Sequence, residues 1–134
     1  SWANFLSHDH FREFSLAYLK KILLNVHKNT PVILFCRGSS IFAPQLAEIM
    51  PAGISIDWQA DLVFLRKIIP AKIALQGNLD PDILYGPPDF IRKEVKKLVK
   101  AMENQPGFIF NLGHGMQPDM TPDAVKVLID AVRS

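Results

Sequence analysis

The feature that most constrains this chain is a rhythm in which short β-branched or aromatic runs alternate with longer stretches of helical spacing. Parallel strands need a crossover between them, and a helix of this length supplies one, so the rhythm predicts βα units around a parallel sheet. The first helix is announced by Ser7 as N-cap and Asp9 in its first turn, with Phe11, Phe14, Tyr18, Ile22 and Val26 at three- and four-residue steps up to about His27. Residues 31–36 form a continuous apolar run, expected of a strand covered on both faces, and the polar turn 37–40 ends it. A short helix carrying Leu46, Ile49 and Met50 follows.

The unit then repeats. Residues 54–58 read as the second strand, leading into a helix with Leu62, Leu65 and Ile69 on one face. Residues 72–76 read as the third strand and 77–81 as its loop, and Ile91, Val95, Leu98 and Met102 mark the buried stripe of a helix that starts at Pro87 and Pro88. The fourth strand is 108–111, its loop 112–120, and Thr121 caps a last helix with Pro122 at its first position and Val125, Leu128, Ile129 and Val132 facing inward. Four βα units preceded by the helix of a fifth are about half of an eight-stranded barrel of ~250 residues. A doubly wound sheet would fit the same pattern, but no G-x-G-x-x-G follows any strand. The opening Ser1-Trp2-Ala3-Asn4, without an initiator Met or a cleavage signal, is expected of a piece cut from a longer chain whose N-terminal half precedes Ser1.

Composition narrows the function. The 134 residues are 49% hydrophobic, enough for one domain or part of a larger one, and 15 basic against 13 acidic residues leave a net charge of +2 that points to no nucleic-acid partner. The longest apolar runs, 31–36 and 72–75, fall far short of the ~20 residues of a membrane span. A single cysteine, Cys36, excludes an internal disulfide and any multi-thiolate metal site within the chain, and fits a reducing, cytoplasmic setting.

In a parallel barrel the chemistry gathers at the carboxyl ends of the strands. Arg37 with Ser39 and Ser40, Asp57 with Trp58, Gln76 with Asn78 and Asp80, and Asn111 with His114 all fall there, although Asn, Asp and Ser at such places also serve as caps and turn residues. His114 is the sharpest candidate, because Gly113 and Gly115 flank it and leave the backbone free to expose an imidazole that can donate, accept or carry charge near neutral pH. His8 and His10 lack a third ligand and read as a solvated first turn, and His27 stands near a helix end. Arg92, Lys93, Lys96, Lys97 and Lys100 lie opposite an apolar stripe, as the solvated face of an outer helix. Trp2 and Trp58 read as packing residues, with Trp58 near enough to a strand end to wall a pocket.

At Leu75-Gln76-Gly77-Asn78-Leu79-Asp80-Pro81 and at Asn111-Leu112-Gly113-His114-Gly115-Met116-Gln117-Pro118-Asp119 the sequence resembles the uroporphyrinogen decarboxylases. Ser1-Trp2-Ala3, Ile33-Leu34-Phe35 and Ile56-Asp57-Trp58 extend the resemblance over essentially all of residues 1–134, as a single segment matching the C-terminal part of those enzymes. The resemblance implies an α/β fold, the C-terminal half of a (β/α)8 TIM barrel, in a cytoplasmic homodimer that needs neither metal nor organic cofactor. It implies a lyase of haem and porphyrin biosynthesis, converting the four acetate arms of uroporphyrinogen to methyls to give coproporphyrinogen and carbon dioxide.

By the same resemblance, His114 matches an active-site histidine that contacts the substrate's carboxylate arms, and Ser1 matches a substrate-binding serine at the end of an earlier strand. An aspartate for the pyrrole N–H groups, arginines for the acetates and a tyrosine belong to the upstream half, so the chain alone is expected to be inactive and to need its own N-terminal half as partner. Cys36-Arg37 stands where members often have Ala-Lys, and Ser39-Ser40 replaces a more glycine-rich turn. Related barrels that transfer methyl groups from corrinoids to thiols bind zinc through an H-x-C motif at this strand, which here reads Leu34-Phe35-Cys36. A non-catalytic half-barrel interaction module is the third reading; its open strand edges would drive association.

Overall fold

The computed structural model describes residues 3–26 and 29–134. After a 3-10 turn Ala3–Phe5, the first helix is built from α1 (His8–Phe11), a π-helical stretch Arg12–Leu16 and α2 (Ala17–Asn25). Ser7 caps it as expected, its side chain accepting from the His10 N–H at 3.2 Å. The sequence places the end of this helix near His27, which lies outside the described residues. Phe11 and Leu16 carry its burial, whereas Phe14, Tyr18 and Ile22 stand exposed on another face. The wider π turn shifts the phase of the residues beyond it, so the four-residue ladder does not keep to the core side.

Four strands follow, β1 (Ile33–Phe35), β2 (Gly53–Ser55), β3 (Ala74–Leu79) and β4 (Phe108–Leu112), all parallel and hydrogen-bonded in chain order. Between them run α3 (Ser39–Glu48), α4 (Leu62–Ile68) and α5 (Pro88–Ala101), and α6 (Pro122–Arg133) closes the chain. This is the α/β barrel arc expected from the rhythm. Helices cover one face of the sheet with two apolar clusters, one around Phe11, Phe42, Ile54, Ile56 and Leu75, the other around Ile91, Val95, Met120 and Leu128. Among the described residues no helix is long and apolar enough to cross a membrane.

Several expectations need correction. The run 31–36 is covered on one side only: Leu34 is half-buried, while Ile33 and Phe35 are 42% and 44% exposed on the concave face. The third strand continues through Leu79 instead of stopping at Gln76. Gly77 reads as a breaker, yet it sits inside the strand with φ +134°, and a Cβ there would stand 2.6 Å from the Ile56 carbonyl oxygen, so glycine marks a close approach of two backbones. In α6 the buried residues are Ala124, Leu128 and Ala131; Val125 and Val132 are half-buried and Ile129 is 40% exposed. Small residues let the helix approach α5, and the larger ones turn toward the flank of β4.

The second strand starts at Gly53 and ends at Ser55 instead of running to Trp58, which lies in the turn that follows, and α3 ends at Glu48, before Met50. Pro88 opens α5, whose Ile91 and Val95 are buried, as is Met102 at its C-cap, and Arg92, Lys93, Lys96, Lys97 and Lys100 are exposed opposite them. Thr121 Oγ1 accepts from the Ala124 N–H at 3.3 Å to start α6.

Candidate functional site

Parallel pairing fixes one row across the concave face: Phe35 stands beside Ser55, Ser55 beside Gln76, and Gln76 beside Ile109. At the carboxyl ends of the strands this face opens into a concavity of about 580 Å³, bounded by Phe35, Ser55, Gln76, Asn111, His114 and Met116. The Gln76 carboxamide donates to Ser55 Oγ at 3.1 Å, and Asn111 Oδ1 accepts from the Leu112 N–H at 2.8 Å.

His114 is half-buried on the loop beyond β4, with its ring edge-on to two aromatic rings: Trp58 at 5.9 Å and 84°, and Phe35 at 6.1 Å and 63°. The guanidinium of Arg37 lies 5.7 Å from the centroid of the Trp58 ring, so Trp58 stands between two nitrogen-rich groups from opposite ends of the arc. The two glycines around His114 act differently from each other. A methyl at Gly113 would collide with the backbone nitrogen of Trp58, whereas Gly115 faces open space. The Gly113 N–H donates to the Leu79 carbonyl at 2.7 Å, carrying the β3–β4 pairing to the base of the loop.

The Asp57–Trp58 segment is held from two sides, by the first residue of α3 and by β3. Ser39 Oγ donates to the Ser55 carbonyl at 3.1 Å and accepts from the Asp57 N–H at 3.3 Å, and Asn78 Nδ2 donates to the carbonyls of Asp57 and Ala60 at 2.9 and 2.7 Å. The Asp57 side chain is buried; Oδ1 accepts from the Gln59 N–H at 3.2 Å, and Oδ2 has no partner among the described residues. Cys36 is also buried, and burial, reinforced by the charge of Asp57, pushes its thiol up to about 11.

The polar residues that the sequence places at strand ends therefore divide. Gln76, Asn111 and His114 line the concavity, whereas Ser39 and Asn78 brace the backbone and Asp80 caps the 3-10 turn Pro81–Tyr85 by accepting from the Asp82 N–H at 3.0 Å. Ser1 lies outside the described residues. Ser55 and Phe35 escaped sequence reasoning because they sit inside strands, where only the pleat decides which face they join. His8 turns its Nδ1 to Gln45 Oε1 at 2.9 Å, and among the described residues no group of three or more His, Cys, Asp or Glu side chains is placed to hold a metal ion.

Parallel strands in chain order, helices on one face and a histidine-bearing concavity at the strands' carboxyl ends define a β/α-barrel protein. Comparison with known proteins narrows the class. The family model "Uroporphyrinogen decarboxylase (URO-D)" matches residues 1–134, and the chain belongs to that family. It is 55% identical over 133 residues to the uroporphyrinogen decarboxylase of Protochlamydia amoebophila, covering 99% of this chain and 36% of that protein. The corresponding enzyme of Vesicomyosocius okutanii is 39% identical over 100% of this chain and 40% of its own length, and that of Xanthomonas campestris 40% identical over 100% and 41%. The chain thus spans well under half the length of these relatives. Among solved structures, a methyltransferase from Methanosarcina mazei superposes with a TM-score of 0.81 and 25% identity, over 98% of this chain and 39% of that one.

Proposed function

We propose that residues 1–134 are the C-terminal half of a uroporphyrinogen decarboxylase barrel and supply one wall of its active site. The observation that carries the reading is the match of the family model to the whole chain, with His114 of the matching Gly-His-Gly segment standing in the concavity at the strands' carboxyl ends. The whole enzyme acts in the cytoplasm as a homodimer, with uroporphyrinogen as substrate and coproporphyrinogen as product, and the N-terminal half of the barrel completes the site.

Loss of carbon dioxide from an acetate arm leaves an electron pair that needs somewhere to go, and the pyrrole ring supplies the sink. Protonation of the ring gives a cation, and the bond to the carboxylate then breaks with its electron pair forming an enamine-like exocyclic double bond. Protonation of that carbon yields the methyl group, and loss of the first ring proton restores the pyrrole. The net change takes up one proton and releases one carbon dioxide per arm. His114 can hold a carboxylate arm by a charge-assisted hydrogen bond or deliver a proton, and the edge-on rings of Trp58 and Phe35 limit its orientation. Ser1 is assigned to substrate binding on the family resemblance.

The test is anaerobic conversion of uroporphyrinogen, followed by chromatography of products with eight to four carboxyl groups. It compares the assembled barrel, meaning this chain joined to its N-terminal half, with its His114→Ala variant and the isolated chain. Coproporphyrinogen from the assembled protein, little from the variant and none from the isolated chain is the expected result; a folded assembled protein that leaves uroporphyrinogen untouched overturns the reading.

The likeness to a methyltransferase favours a second reading, a zinc-dependent transfer of methyl groups from a corrinoid to a thiol. The donor set in this chain does not fit such a centre: Leu34 stands where the motif needs histidine, and the Cys36 thiol, pushed up to about 11, is a poor source of thiolate. Zinc analysis and a thiol-methylation assay would become the experiments if decarboxylation failed.

A further inference from the structure

The segments that lead from each strand to the next α-helix, residues 36–38, 56–61, 80–87 and 113–121, lie along the carboxyl-end rim of the arc. They hold five aspartates, and Arg37 is their single Arg or Lys. The backbone of Arg37 is fixed from both sides. Its carbonyl accepts from the Ala3 N–H at 3.1 Å, and Gly38 beside it has φ +78° with no room for a Cβ against Asn4. Its guanidinium lies over the Trp58 ring at 5.7 Å, and the same ring meets His114 edge-on at 5.9 Å, so two residues able to bind a carboxylate flank one indole. His114 lines the concavity, whereas the half-buried Arg37 is set back from it.

We infer that Arg37 is a substrate-binding residue that holds a propionate arm of the tetrapyrrole, with the Trp58 ring setting the direction of its guanidinium. This role rests on the decarboxylase reading above. By the family resemblance the pyrrole N–H groups fall to an aspartate, and the acetates to arginines, of the upstream half, which leaves the propionates to be held from elsewhere. A propionate is one methylene longer than an acetate and keeps its charge through every decarboxylation, so it suits a cation set back from the concavity. On a rim whose other charged residues, His114 aside, are aspartates, a guanidinium with two parallel N–H groups gives such an arm its permanent countercharge.

The test is anaerobic binding of coproporphyrinogen to the assembled barrel, beside steady-state turnover of uroporphyrinogen, for wild type, Arg37→Met, Arg37→Gln and Arg37→Lys. Coproporphyrinogen keeps every propionate and has no acetate, so its affinity reads the propionate contacts alone. Arg37→Met is expected to raise both the Kd for coproporphyrinogen and the KM for uroporphyrinogen about tenfold, with a smaller change in kcat. Arg37→Gln, also uncharged, should behave alike and decides in its place should Arg37→Met fail to fold. Arg37→Lys keeps the charge without the paired N–H groups and should recover part of the loss. A wild-type Kd for coproporphyrinogen in the folded, uncharged variants overturns the inference whatever their KM, since a raised KM alone would mean that Arg37 holds an acetate. Binding by Arg37→Lys as weak as that of Arg37→Met overturns it too, because the loss would then come from packing on Trp58 and not from charge. A folded wild type that neither binds coproporphyrinogen nor turns over uroporphyrinogen fails the decarboxylase reading and this role with it, whereas an active wild type with unchanged variants fails the role of Arg37 alone.

Discussion

The Trp58 indole stands edge-on to the His114 imidazole at 5.9 Å, and the same Trp58 backbone closes against Gly113, the residue before that histidine. Ring and backbone of one residue thus locate the loop of another strand, through contacts between the second and fourth strand ends that no local signal announces.

Gly113→Ala is therefore expected to cost about 1–3 kcal/mol, since its methyl must displace the Trp58 backbone that Ser39 and Asn78 hold through Asp57. Gly115→Ala, in open space, is the control. Urea denaturation of the assembled protein checks this, and equal midpoints for the two variants would show that the loop yields freely.

Arg66 is buried and serves three carbonyls, donating to Ile73 at 2.9 Å, Ile69 at 2.8 Å and Pro70 at 2.7 Å, so it ties the end of α4 to the entry of β3. Replacing it with Met keeps much of the volume and strands the carbonyls, with an expected loss of about 2–4 kcal/mol. Thermal unfolding of the variant measures it; an unchanged Tm would mean that water reaches those oxygens.

Tyr85 donates to Asp119 Oδ1 at 2.6 Å, linking the turn after β3 to the loop that carries His114, and this bond above all raises its hydroxyl from 10.0 to about 12. A raised pKa means that the neutral phenol is the form favoured by folding. The contribution to stability is whole below the ordinary tyrosine value and is lost as pH rises through about 12. Ultraviolet titration of phenolate in native protein, with Tyr85→Phe as reference, should show the Tyr85 component ionising late; ionisation near 10 would deny the bond in solution.

The Cys36 thiol, raised to about 11 by burial and the nearby Asp57, should react slowly with an aromatic disulfide reagent at neutral pH and fully after unfolding. Rapid native labelling would show that the strand end opens.

The sequence by itself determined the order and type of the main elements, because apolar spacing, the caps Ser7 and Thr121 and the opening proline Pro88 are local properties that tertiary packing here only confirmed. It also placed the polar residues at the strands' carboxyl ends, and its motif around His114 carried the family. What only the tertiary structure decided was which of those residues face the concavity. Gln76 and Asn78 are two apart in one strand, yet Gln76 meets Ser55 across the row while Asn78 grips Asp57 and Ala60. Gly77, with its positive φ against the Ile56 carbonyl, lies between them. Likewise Phe14 and Ile22 keep helical spacing but miss the core, because a π turn changes their phase. Spacing fixes which residues can share a face, whereas the approach of a neighbouring backbone fixes where that face points.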